Sequence, residues 1–153
     1  MIEIGTKAPD FTASTDGGGS LTLSELQGKK VVLYFYPKDD TPGCTKQANQ
    51  FTAHLDAFTE AGAIVVGVSK DPVKKHDKFV AKYDLKIRLV SDEDLSINEA
   101  YGVWIQKSMW GRKYMGTDRS TFLIDASGTV RQIWNKVKVP GHVDEVLVAT
   151  QSL

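Results

Sequence analysis

The chain has a single cysteine, Cys44, in 153 residues. One thiol excludes an internal disulfide, and with it a disulfide-stapled scaffold or a Cys-x-x-Cys redox pair. It also favours a reducing compartment, so a cytoplasmic location is expected. Net charge is absent: 19 basic and 19 acidic side chains cancel. That leaves no electrostatic case for a nucleic-acid or membrane partner. No apolar run in the chain approaches the roughly 18 residues of a membrane span. The opening MIEIG lacks the basic and long apolar segments of a secretory signal. The cysteine and the three histidines are not at metal-ligand spacing, so neither a metal nor another cofactor is expected.

What is present is ordinary for a soluble globular chain: 41% hydrophobic and 25% charged residues. The length fits one domain over 1–153 with a real core. Residues 2–14 and 21–23 flank a glycine run, 16–20, that reads as a hairpin turn. Residues 31–36 form an apolar run, the first central strand. Thr41 can cap the following helix with Pro42 at its first position. Ala48, Phe51, Leu55 and Phe58 recur on one helical face, and Gly62 ends that helix. Residues 64–69 are a second buried strand. Asp71-Pro72 repeats the cap-then-proline start, with Phe79, Val80 and Tyr83 as apolar positions. A short strand at 88–90, a short helix at 95–101, a hairpin of 120–124 with 130–137 and a last helix at 143–149 follow. This alternation predicts an α/β fold: a central mixed sheet flanked by helices, with an N-terminal β-hairpin extension.

The segment 37–44, PKDDTPGC, is the most informative stretch. It follows a buried strand and carries the only thiol into the start of a helix. There the positive end of the dipole favours thiolate. Three further segments accompany it: Leu33-Tyr34-Phe35-Tyr36, Gly67-Val68-Ser69, and 101–125 with YGVW, YMGTDR and STFLID. Together they resemble the Q-type peroxiredoxins, also called bacterioferritin comigratory proteins, from about residue 4 to 147. The resemblance implies a thioredoxin-like fold and a thiol-dependent peroxidase acting on hydrogen peroxide and organic hydroperoxides. It implies Cys44 as the peroxidatic cysteine, with Pro37, Thr41 and Arg119 around it. Many Q-type members carry a resolving cysteine five residues further on. Here that position is Asn49, so an external thiol is required: thioredoxin, glutaredoxin or a small thiol. Many such relatives are monomeric, and a monomer or weak dimer is expected.

The chemistry explains why a thiolate alone is insufficient. A free cysteine is only about 3% ionised at neutral pH. Lowering its pKa to roughly 6 gains about 30-fold in thiolate, of which lower nucleophilicity returns about 10–18-fold. The remaining acceleration must come from donors that hold charge on the peroxide oxygens. The Gly43 and Cys44 amides in the first helical turn suit that task, and glycine allows close approach. The Thr41 hydroxyl can reach the sulfur, a peroxide oxygen or a backbone N–H. Arg119 would hydrogen-bond the peroxide and favour thiolate. Pro37 would shield the thiol. Asp39 and Asp40 oppose ionisation and read as solvated turn residues. His54, His76 and His142 read as structural or solvated. Trp104, Trp110 and Tyr114 read mainly as core or loop packing, with lining of the substrate entrance as the alternative.

Two other functions fit less well. A thiol–disulfide reductase lacks its second cysteine. A redox sensor or binding domain on the same fold would use one oxidation event without turnover.

Overall fold

A computed structural model describes residues 2–153. Its centre is a five-stranded sheet in the order β5-β4-β3-β8-β9: Arg88–Ser91, Ala63–Ser69, Lys30–Phe35, Ser120–Ile124 and Val130–Trp134. β3, β4 and β5 run parallel, whereas β8 is antiparallel to β3 and β9 to β8. Parallel neighbours need a crossover, and α1 (Pro42–Ala53), α2 (Leu55–Glu60) and α3 (Val73–Tyr83) supply them. α4 (Ser96–Ala100) and α5 (His142–Gln151) complete the helices. The N-terminal hairpin is short, β1 (Thr12–Ser14) with β2 (Ser20–Thr22), around a one-turn 3₁₀ segment at the predicted glycine run.

β3 shows why the central run is apolar throughout. Its side chains alternate between two cores. Val32, Tyr34 and, just beyond the strand, Tyr36 pack with Ala48 and Phe51 of α1, Phe79 of α3 and Val146 of α5. Val31, Leu33 and Phe35 face Ile97 of α4, Leu21 of β2 and Phe122 of β8. Burying each large apolar side chain contributes about 1.5–3 kcal/mol, so both faces anchor the strand end that leads into the Cys44 loop.

Four local features differ from the sequence reading. The helix through Ala48 and Phe58 is broken at His54, whose φ of −99° and ψ of 6° separate α1 from α2. The apolar spacing survives the break because Phe51 and Phe58 still bury on the same core. α3 is entered from Pro72 rather than capped by Asp71, whose carboxylate is used elsewhere. β9 stops at Trp134, and Lys136 turns the chain with φ 48°. The fourth is an unforeseen hairpin, β6 (Trp104–Met109) with β7 (Arg112–Thr117), forming its own two-stranded sheet. Its turn is Trp110-Gly111, both at positive φ. Tryptophan is a poor turn signal, so only the glycine announced it.

Candidate active site

Cys44 is the third residue of α1, after Pro42 at the first position. The residue is 2% exposed. The helical spacing 44, 48, 51 puts it on the buried face with Ala48 and Phe51. Among the described residues, the Gly43 and Cys44 amides have no hydrogen-bond acceptor; the first helical bond runs from the Thr45 N–H to the Thr41 carbonyl. Two backbone donors are thus free beside the sulfur.

Arg119 comes from the segment between β7 and β8. The Asp118 N–H donates to the Val103 carbonyl at 2.7 Å, and the Arg119 carbonyl accepts from Val137 N–H at 2.9 Å. So held, the guanidinium forks. Nη2 donates to Cys44 Sγ at 3.3 Å and Nη1 to Gln47 Oε1 at 2.6 Å. Gln47 was not singled out from sequence, although its place three residues after Cys44 on the predicted helix was a usable signal. Its amide nitrogen is buried and has no hydrogen-bond partner among the described residues. Gly43 has a specific reason to be glycine: a Cβ there would lie 3.2 Å from Arg119 Nη2. The space above this residue is taken by the guanidinium.

Thr41 occupies the N-cap position, but its side chain makes no cap bond. The hydroxyl donates instead to the Lys38 carbonyl at 2.8 Å, closing the loop on itself. Of the three partners considered from sequence, neither the sulfur nor a backbone N–H is its hydrogen-bond partner. Pro37 is half-buried just past β3, and Asn49 is exposed on α1.

Of the two aspartates, Asp40 is a surface turn residue as expected, whereas Asp39 is not solvated. Asp39 is buried, accepting from the Tyr36 hydroxyl at 2.5 Å and facing His76 Nδ1 at 2.6 Å. Asp40 sits at the surface with φ 58°, bonded to Lys82 Nζ at 2.8 Å and the Tyr83 hydroxyl at 2.6 Å. These two donors hold its carboxyl below the usual carboxylate range. Alternating hydropathy could not reveal this, because the three α3 partners, His76, Lys82 and Tyr83, lie 37, 42 and 43 residues downstream.

Each histidine has partners within the fold. His76 is fully buried. His142 is buried against Thr121 and lies edge-on to Trp134, and burial pushes it down to about 4. His54 bridges the end of α1 to Asp144 of α5 at 3.2 Å. The aromatic cluster is not core: Trp110 is 97% exposed at the hairpin tip, Tyr114 is exposed, and Trp104 is half-buried with Lys70 Nζ 5.9 Å from its ring centre. Tyr34 lies in the same core as Cys44, stacked on Phe51. Burial, then the charges at Cys44 and Asp39, raise its phenol well above the ordinary value.

The model of the AhpC/TSA family matches residues 4–133. The peroxiredoxin Bcp of Bacillus subtilis is 48% identical over 146 residues, covering 95% of this chain and 93% of that one. Among solved structures, the bacterioferritin comigratory protein of Xanthomonas campestris, studied for alkyl peroxide reduction, superposes with a TM-score of 0.89 at 46% identity. That match covers 93% of this chain and 90% of the other. A cysteine-to-serine mutant of Xylella fastidiosa PrxQ gives a TM-score of 0.95 at 38% identity over 99% and 97% of the two chains. The mixed sheet with its flanking helices is therefore a thioredoxin-like fold, and the chain belongs to the AhpC/TSA family as a Bcp or Q-type peroxiredoxin, a thiol-dependent hydroperoxide reductase lacking the usual resolving cysteine.

Proposed function

We propose that Cys44 is the peroxidatic nucleophile and that Thr41, Arg119, Gly43 and Pro37 form the site around it. The observation that carries this reading is the 3.3 Å contact from Arg119 Nη2 to Cys44 Sγ at the first turn of a helix. A guanidinium there is positioned to stabilise charge on a bound peroxide. Thr41 spends its hydroxyl proton on Lys38, so its lone pairs are left to accept the hydroperoxide O–H. The thiolate attacks the hydroxyl oxygen of ROOH. An S–O bond forms, the O–O bond breaks, and the electron pair leaves with RO⁻, held by Arg119 and the Gly43 and Cys44 amides. A proton from the site or solvent completes ROH, and Cys44 remains as sulfenic acid.

An external thiol then attacks the sulfenic sulfur, releasing water and leaving a mixed disulfide. A second thiol displaces Cys44 as thiolate. The sum is ROOH + 2 R′SH → ROH + H₂O + R′SSR′. The reductant is a small thiol, thioredoxin or glutaredoxin, the working form is a monomer or weak dimer, and the compartment is the cytoplasm. The decisive experiment mixes the protein with hydrogen peroxide or an organic hydroperoxide and excess thiol. Continued peroxide consumption is expected. Consumption that stops after one equivalent would make the protein a sensor.

A further inference from the structure

The loop 37–41, which delivers Thr41 and Cys44 to the site, is fastened to α3 through two adjacent aspartates. Asp40 takes the exposed pair, Lys82 and Tyr83. Asp39 takes the buried one. Its carboxylate accepts from Tyr36 at Oδ1 and faces His76 Nδ1 at Oδ2, while its N–H donates to Asp71 Oδ2 at 2.9 Å. Asp71 is in turn fixed by the Ser69 hydroxyl at 2.7 Å. The other nitrogen of His76 faces the Val90 carbonyl at 2.9 Å.

This geometry settles the proton count. A carbonyl can only accept, so His76 Nε2 carries a hydrogen. Nδ1 and Asp39 Oδ2, 2.6 Å apart, would then oppose lone pair to lone pair unless a second proton lies between them. We propose that His76 is a positioning residue for peroxide reduction: the proton shared by Nδ1 and Asp39 latches the 37–41 loop, keeping Thr41 and the first turn of α1 beneath Arg119. This rests on Cys44 being the nucleophile.

The groups facing His76 are Asp39 from the loop, Asp71 from the β4–α3 connection and the Val90 carbonyl of β5. Tyr36, on the far side of Asp39, is neutral, its phenol raised by burial and then by Asp39. Burial disfavours charge on His76, but the Asp39 bond and charge, the Val90 carbonyl and Asp71 outweigh it and lift the ring above its ordinary value. As pH rises through that value the latch loses its proton. The intrinsic rate per thiolate should then fall, opposite in sign to the increase in thiolate itself.

The test uses the full chain carrying Asp39→Asn. An amide keeps the acceptor for Tyr36 and offers an N–H to a neutral His76 Nδ1, so the latch no longer needs a shared proton. Oxidation of Cys44 by hydrogen peroxide is followed by stopped flow over about pH 6–9 and divided by the measured thiolate fraction. The wild type should show a falling alkaline limb that Asp39→Asn flattens. His76→Phe should raise hydrogen exchange at the Asp39 amide, which donates to Asp71 Oδ2, and at the Thr45 amide, which donates to the Thr41 carbonyl, by about tenfold or more. ¹⁵N spectra should show His76 bearing two protons at the low end of that range. A limb unchanged by Asp39→Asn, or a His76 with one proton throughout, would overturn the proposal, even if His76→Phe fails to fold. In Cys44→Ser the spectra and exchange should be as in the wild type, so the two failures are distinguishable: an inactive wild type with a doubly protonated His76 would defeat the Cys44 reading, and with it the latch's part in catalysis, while the latch itself stood.

Discussion

Arg119 and Cys44, 75 residues apart in sequence, meet at 3.3 Å between guanidinium Nη2 and Sγ. The contact joins the start of α1 to the strand pair that closes the sheet. It makes the chemistry depend on the docking of β8 against β3, where Phe35 faces Ser120. Removing the thiol should therefore separate function from fold. Cys44→Ser is expected to retain its circular dichroism and melting profile while losing peroxide turnover entirely. Turnover surviving in the purified variant would refute the proposed mechanism.

Arg119→Ala and Thr41→Val test how much of the rate comes from charge stabilisation. Each should slow Cys44 oxidation by roughly 10²-fold, the usual effect of losing an oxyanion donor or its equivalent. Stopped-flow rates taken at several pH values and normalised to thiolate give the answer. Recovery of the wild-type rate after normalisation would mean that these residues act only on ionisation.

Gly43→Ala makes a narrower claim. The new Cβ would stand 3.2 Å from Arg119 Nη2, tighter than ordinary contact. The end of an arginine moves cheaply, so stability should change by less than about 1 kcal/mol. The guanidinium, however, would have to give by a few tenths of an ångström, loosening its contact with the sulfur. Activity should fall by roughly two- to tenfold, short of the Arg119→Ala loss. Equal activity with unchanged melting would show that the glycine is not required for the guanidinium's placement.

Two buried histidines should shape stability against pH with opposite signs. His142 has a folded value of about 4, below its ordinary 6.5. Between these values the unfolded chain binds a proton that the folded one refuses, so stability falls as pH falls through this window. His76 is raised. Its contribution is present in full below the ordinary value and disappears as pH rises through the folded one. The melting temperature should thus fall on both sides of near-neutral pH. His142→Gln should remove the acid slope above about pH 4, an effect of about 1–2 kcal/mol after solvent screening. An acid slope confined below that pH would belong to carboxylates instead.

Asn49 leads to a prediction about damage. With no second thiol, the sulfenic acid waits for an outside reductant and is open to a second peroxide. Inactivation should rise with the peroxide-to-thiol ratio. Intact mass after one equivalent should show a gain of about 16 Da, or a mixed disulfide when thiol is present. In Asn49→Cys, the two sulfurs would start about 140° apart around the helix and about 7.5 Å apart along it, out of bonding range. An internal disulfide should form only with loss of amide protection in the first turns of α1. A disulfide formed with those amides fully protected would contradict this.

The sequence was most readable where one residue type has one common use. Pro42 marked the first turn of α1, and the alternation through Val31–Phe35 was visible as an apolar run with a core on both sides. Cys44 and the segment around Arg119 were legible as motifs. Side-chain direction was not: Thr41 occupies the expected cap position but bonds backward to Lys38. Asp39 looked solvent-exposed because nothing near it in sequence announces a buried histidine 37 residues away. The β6–β7 hairpin was missed because an exposed tryptophan at a tight turn mimics a core residue.

The 2% exposure of Cys44 sets the two halves of the cycle against each other. A small peroxide can be handled in a closed site, but a protein thiol needs the sulfur brought outward. A first turn held too firmly would oxidise well and be reduced slowly; one held too loosely would do the reverse. Catalytic throughput then has an optimum in loop rigidity rather than a maximum. Selection for heat resistance alone should accumulate substitutions that tighten 37–44 and yield sturdier, slower enzymes whose deficit is largest with bulky reductants.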